Sequence, residues 1–177
     1  MSILIKQQNS LFGSWEQAIG TVLSAIGNTP SIALTSEVKE NLDLIGNVMQ
    51  ATGNALQVEQ FSLKELKSLG NEIQAIGNAT EVASLHFPVS VKRKQLLNIQ
   101  GDILQALGGS INFAEESHKE LTMEVLYSAF GNLLQVIGNS LQALSTQNTT
   151  KAEELNAIGN WIQATGAIMT AVAETIQ

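Results

Sequence analysis

Cysteine is absent from the 177-residue chain, and proline occurs only at Pro30 and Pro88. The first absence removes disulfides, thiolate metal ligands and cysteine nucleophiles from consideration. The second leaves long helices free to run, because proline is the strongest helix breaker. Charge is scarce as well: only 14% of residues are charged, and 9 Lys plus Arg stand against 16 Asp plus Glu for a net charge of −7. A chain without a basic face cannot displace counterions from phosphates, so nucleic acid is excluded as a partner. Long apolar runs are missing too. Val125 to Thr150 carries no charge, yet Asn, Gln, Ser and Gly interrupt it, and it fails the usual test for a spanning helix. Met1 to Gln17 places Gln7, Gln8 and Asn9 where a secretory signal needs an apolar run, so the expected location is cytoplasmic.

Glycine, by contrast, is plentiful and regularly placed. Pairs seven residues apart occur at Gly20 and Gly27, Gly46 and Gly53, Gly70 and Gly77, Gly101 and Gly108, Gly131 and Gly138, and Gly159 and Gly166, with Gly13 as an extra member of the first unit. Successive units start 24 to 31 residues apart, which suits a helix of five or six turns and a short connection. The expected fold is all-α: six antiparallel amphipathic helices in one domain, 1–177, forming an up-and-down bundle or array. The units are roughly 10–28, 36–58, 62–85, 90–114, 117–145 and 150–176. Ser62 with Glu65, Ser117 with Glu120 and Thr150 with Glu153 fit the capping box that opens a helix, and Ser90 is a further candidate cap.

At about 100° per residue, with the first glycine of each unit at zero, the large apolar residues cluster on one broad face near 260°. This places Leu42, Ile45, Met49, Leu66, Leu69, Ile73, Ile76, Leu104, Leu107, Phe130, Leu134, Ile137, Leu155, Ile158 and Ile162 in the expected core. Trp15 and Trp161 read as core or rim aromatics. The opposite stripe, near 70°, is built of amides: Asn47, Gln50, Asn54, Asn71, Gln74, Asn78, Asn132, Gln135, Asn139, Asn160 and Gln163. Small residues line both borders of the stripe, glycine on one side and mainly alanine on the other. Twelve helical glycines cost on the order of 10 kcal/mol relative to alanine, so the folded state must gain from them. Close approach of neighbouring backbones at these glycines is the expected gain.

The phrases "LIGNVMQATGNAL", "LGNEIQAIGNAT", "FGNLLQVIGNSLQAL" and "IGNWIQATG" resemble an uncharacterised repetitive family of Bacillus-type bacteria built on G-N-x-[LI]-Q-A-[IT]-G-N. The likeness covers most of residues 11 to 173. It implies a bacterial origin and brings no activity or catalytic residue. The first unit departs from the phrase with Thr21 and Ser24, and the fourth with Gln100, Asp102 and Gly109. These departures point to helices in a different setting, at an edge or beside something polar.

Candidate chemistry is thin. His86 and His118 lack a ligand spacing on one helix, and Glu115 to His118 matches half of a paired Glu-x-x-His motif without its second copy. The acids around His118 suit a helix start, where the dipole favours them. Lys92, Arg93 and Lys94 form the one basic run, in a first turn where positive charge is unfavourable unless a partner offsets it. No nucleophile elbow, phosphate loop or catalytic triad order occurs. No enzyme, cofactor or metal is expected. The sequence points to a structural or interaction protein that presents its amide stripe outward to itself or to a protein partner. An alternative turns the bundle inside out, with amides lining a lumen and the apolar face meeting lipid.

Overall fold

A computed structural model describes residues 3–58, 66–146 and 151–177. Within them lie six helices: α1 (Ile3–Gly27), α2 (Ser36–Leu56), α3 (Leu66–His86), α4 (Val91–Glu116), α5 (Met123–Ser145) and α6 (Ala152–Thr175). Each packs on the helix before and after it, and α6 returns to α1. The six therefore close into a ring in which each described helix brings its backbone close to its two neighbours alone. The bundle is thus closed, rather than split or an open spiral. Chain direction alternates around it. The ends of α1, α3 and α5 meet the starts of α2, α4 and α6 at the upper end; the start of α1 and the end of α6 lie at the lower end.

Glycine sets the pairing. A Cβ on Gly20 would sit 2.6 Å from the carbonyl oxygen of Gly46, and one on Gly13 would sit 2.5 Å from that of Gly53. Gly77 meets Gly101 and Gly70 meets Gly108 in the same way, as do Gly138 with Gly159 and Gly131 with Gly166. These contacts join α1 to α2, α3 to α4 and α5 to α6, so the ring is three close antiparallel hairpins around an approximate three-fold axis. In the first hairpin the working pair is Gly13 and Gly20, whereas Gly27 lies against the backbone of Lys39 and Asp43. The other flank of each helix uses alanine. Ala18 of α1 packs on Ala167 and Ala171 of α6, and all three are buried.

Caps define three helix starts. Oγ1 of Thr35 accepts from the Val38 amide, Oγ of Ser90 from Arg93, and Oγ1 of Thr122 from Val125 at 3.2 Å. Ser117 does not open the fifth helix: its backbone is still helical (φ −64°, ψ −14°) and closes α4. Thr122, at φ −115° and ψ 169°, has the extended backbone a cap needs. Ser62 with Glu65, and Thr150, lie outside the described residues. Thr122→Ala should lower stability by about 1 kcal/mol, while Ser117→Ala should change it by less than about 0.5 kcal/mol; thermal unfolding of the two variants checks the contrast.

The core corrects the expectation most. The buried apolar side chains are seven alanines and Val125, whereas the largest fully buried side chains include Gln50, Gln135, Asn54, Asn78 and Asn139. None of the fifteen residues expected in the core is buried: Leu42, Met49, Leu69, Ile73, Leu104, Leu134, Leu155 and Ile162 are half-buried, and the rest are exposed. Ile76 is 58% exposed, Phe130 54% and Ile158 53%. The face assignment held as a division of the helix into two faces, but the oily one points out. No described helix is long and apolar enough to cross a membrane by itself.

Candidate functional site: a polar axis closed by glutamines

Side chains that link helices with no direct packing between them must pass through the middle of the ring. The amides do this. Gln17 of α1 donates from Nε2 to Oε1 of Gln135 on α5 at 2.8 Å and to Oε1 of Gln74 on α3 at 3.3 Å. Gln163 of α6 donates likewise to Gln105 on α4 at 2.9 Å and to Gln50 on α2 at 3.0 Å. Odd-numbered helices thus supply one triangle of glutamines and even-numbered helices another. Each bridging glutamine also accepts, Gln17 from Gln57 at 3.3 Å and Gln163 from Gln142 at 3.0 Å. Each triangle is closed by one amide that spans two partners.

The predicted stripe is therefore interior, not outward. Asn47, Gln50, Asn54, Asn71, Gln74, Asn78, Asn132, Gln135, Asn139, Asn160 and Gln163 are all buried, and an outward interaction surface made from them is ruled out by that placement. The reason lies in the borders of the stripe. Glycine on one flank and alanine on the other are where neighbouring helices touch, so the residues between them face the centre of the ring. Not all of these amides are paired: both side-chain polar atoms of Asn54 and of Asn78 lack a partner, as do Nδ2 of Asn71 and Oδ1 of Asn112.

At the upper end the axis widens into a mouth of about 270 Å³ lined by residues of α2 to α6 and by Asn28, just beyond α1. Four carboxyls line it: Asp43 from α2, Glu81 from α3 and Asp102 from α4, together with the exposed Glu153 from α6. Asn28 donates to Asp43 Oδ1 at 2.7 Å and is itself held by Asn156 at 2.9 Å. Burial pushes the Asp43 carboxyl up to about 6, against the pull of Asn28, Ser24 and the Lys94 charge. Burial also raises Glu81 well above the carboxylate range, and the charges of Asp102 and Asp43 add to the effect. Asp102 is raised by burial and then by Asp43. Lys94, from the basic run in the first turn of α4, lies close enough for its charge to favour the ionised form of Asp43.

The lower end is tighter, a space of about 20 Å³ lined by Gln17, Gln74 and Gln135 together with Asn71, Asn112, Lys67 and Glu174. Lys67 is ion-paired with Glu174, which also accepts from Ser10 Oγ at 2.8 Å. His86 and His118 lie exposed near opposite ends of the ring, and no group of ligands able to hold a metal ion occurs among the described residues.

Sequence reasoning missed Gln17, Gln57, Gln105 and Gln142, and the carboxyls of Asp43, Glu81 and Asp102. A signal for them existed. In α5 the interior residues Ser128, Asn132, Gln135, Asn139, Gln142 and Thr146 are spaced alternately four and three apart, the seam spacing of helices packed around a common axis. Extending that spacing beyond the G-N-x-x-Q phrase reaches Gln57, Glu81, Asn112 and Gln142 in their units.

Comparison with curated proteins and with solved structures gives no match. Residues 8–171 match DUF6944, a family of unknown function, and the chain belongs to that family.

Proposed function

We propose that the protein is a non-enzymatic, membrane-active helical bundle that turns its apolar face to lipid and keeps its amides around the axis. The observation that carries this reading is the inverted burial. Burying Leu, Ile and Phe normally supplies most of the folding free energy in water, and here those residues cover the outside. Monomers in water rarely expose apolar patches beyond a few hundred Å². A surface clad in Phe12, Ile19, Ile45, Ile76, Leu107, Phe130 and Ile158 needs a cover.

Lipid fits the dimensions. No charge occurs between Glu124 and Lys151 along α5, or between Glu154 and Glu174 along α6. At 1.5 Å per residue, these helical stretches of about 20 residues span about 30 Å, the thickness of the hydrocarbon layer. The other four helices carry charges in the corresponding stretch: Glu16 in α1, Asp43 in α2, Lys67, Glu72 and Glu81 in α3, and Asp102 in α4, of which Asp43, Glu81 and Asp102 line the upper mouth and Lys67 the lower space. Mean hydropathy of a single helix counts the amides, but in the closed ring they are turned away from the outer surface, and the glutamines of the two triangles bond to one another, as polar groups inside membrane bundles do. Trp15 and Trp161 sit exposed with their indole N–H groups bonded to Thr175 at 3.0 Å and Thr29 at 2.9 Å. Their rings are free to enter an interface without leaving a donor unpaired.

Tryptophan emission reports on this directly. On adding vesicles of phosphatidylcholine and phosphatidylglycerol, emission should shift to shorter wavelength and be quenched by lipids brominated on the acyl chain. Unchanged emission together with a particle size that grows with protein concentration would replace lipid with further copies of the chain as the cover.

A further inference from the structure

Polar side chains line the axis of the ring from the lower space to the upper mouth. Along α5, Ser128 lines the lower space and Thr146 the upper mouth, with Asn132, Gln135, Asn139 and Gln142 between them. The axis is not empty. It is closed at mid-height by the two glutamine triangles, each locked by one bridging amide. Carbonyl oxygens of neutral amides can stand in for the hydration shell of a small cation, and Oε1 atoms of Gln74, Gln135, Gln50 and Gln105 all point to the axis to accept those bridges. The upper mouth adds Asp43, Glu81, Asp102 and Glu153, and no Lys or Arg lines it among the described residues. In the lower space the single cation, Lys67, is neutralised by Glu174. Nδ2 of Asn71 and Oδ1 of Asn112 line that space without a protein partner, although both residues are more than nine-tenths buried.

We infer that the axis is a gated path for monovalent cations, with the Gln17 and Gln163 triangles as the gate and the acid-lined upper mouth as the selecting entrance. This rests on the lipid reading, since a path matters only across a barrier. An anion would meet Asp43, Glu81, Asp102 and Glu153 at that mouth, against the charge of Lys94 acting on Asp43. Loss of either bridging amide would free two carbonyl oxygens and remove the side chain that occupies the centre.

The full chain is reconstituted with phosphatidylcholine–phosphatidylglycerol vesicles, and flotation with the vesicles is scored separately from K⁺ and Cl⁻ flux. Gln17→Ala and Gln163→Ala should raise K⁺ flux about tenfold over the native chain, the effect of about 1.4 kcal/mol removed from a barrier. Adding Asp43→Asn and Asp102→Asn to the Gln163→Ala variant should weaken the preference for K⁺ over Cl⁻, with Glu81 and Glu153 left in the lining; an unchanged preference overturns the selecting entrance. Flotation without K⁺ flux in any of the folded variants overturns the path and leaves the lipid reading standing; failure to float overturns both. Should the glutamine variants lose their helical circular dichroism, Asn98→Cys in the upper mouth gives a second measurement, helped by the absence of native cysteine. A membrane-impermeant cationic thiol reagent should label it about tenfold faster than the matching anionic one, as expected where fixed charge concentrates one ion sign. Equal rates overturn the selecting entrance.

Discussion

Gly138→Ala should destabilise the fold by about 2 kcal/mol or more, although alanine is the better helix former by about 1 kcal/mol. A Cβ at position 138 would meet the Gly159 carbonyl oxygen at 2.6 Å, the Gln163 amide nitrogen at 2.7 Å and the Gln163 Cβ at 2.8 Å. Two of these are backbone atoms of α6, so relief requires moving the whole helix, and overpacking of a close contact costs about 1–3 kcal/mol before the propensity gain is subtracted. Moving α6 also moves Gln163, whose amide bridges Gln50 and Gln105. The steric cost is therefore compounded by a loosened glutamine triangle, at about 1 kcal/mol for each hydrogen bond weakened. Gly109 is the control. Its nearest neighbour would be a side-chain methyl of Val136 at 3.1 Å, with the nearest backbone atom at 3.6 Å. Gly109→Ala should then lie near neutrality, or gain up to about 1 kcal/mol from helix propensity. Urea unfolding of the two variants decides the matter, and equal effects would mean that the hairpins do not pack backbone to backbone.

The same geometry explains what was legible in the sequence. Helix number, the use of Gly46 and Gly53 and of Gly131 and Gly138 as points of close approach to a neighbouring helix, and the Ser90 cap follow from local rules that hold in any solvent. Which face is buried does not. The amphipathic pattern of "FGNLLQVIGNSLQAL" divides α5 into an oily face and an amide face, and assigning the oily one to the interior assumes that water surrounds the protein. The glycines made no such assumption. On the helical wheel, glycine lies at about 0° and the alanine border at about 140°, with the amides midway between them. In a ring of six, a helix sees its two neighbours about 120° apart on either side of the centre, so two small-residue borders flanking one stripe mark that stripe as the inward one. The unit register was harder. Gly20 and Gly27 match the spacing as well as Gly13 and Gly20 do, and only the approach of Gly13 to Gly53 separates them. The upper mouth was hidden for a different reason. Asp43, Glu81 and Asp102 come from three helices and take one slot each in repeats that otherwise hold amides, so no local pattern joins them.

Those three carboxyls carry the second large effect, a stability that falls as the solution becomes less acidic. The Asp43 carboxyl, ordinarily at 3.8, is raised by burial to about 6 in the fold. Between these values the folded chain holds a proton that the unfolded chain has released, so the contribution is fully present below about 3.8 and lost as pH rises through about 6. A difference of about two pH units corresponds to about 3 kcal/mol, at about 1.4 kcal/mol per unit. Glu81 and Asp102 are displaced in the same direction by burial and by the neighbouring acids, which extends the loss beyond pH 6. Asn28, Ser24 and Lys94 oppose the displacement at Asp43, and Gln105 opposes it at Glu81. Urea unfolding at matched ionic strength should give a higher midpoint at pH 4.5 than at pH 7.5. Asp102→Asn should flatten that dependence and stabilise the protein at the higher pH, because it removes one member of the mutually repelling set while keeping its shape. A midpoint that instead rises toward pH 7.5 would mean that the three acids are ionised together in the fold, an arrangement that desolvation forbids unless a counter-charge enters the mouth. Comparing KCl with the bulky, impermeant tetrabutylammonium chloride at pH 7.5 then separates the two cases: only a cation small enough to enter a space of about 270 Å³ and reach all three carboxyls can restore the midpoint that protons supply at pH 4.5.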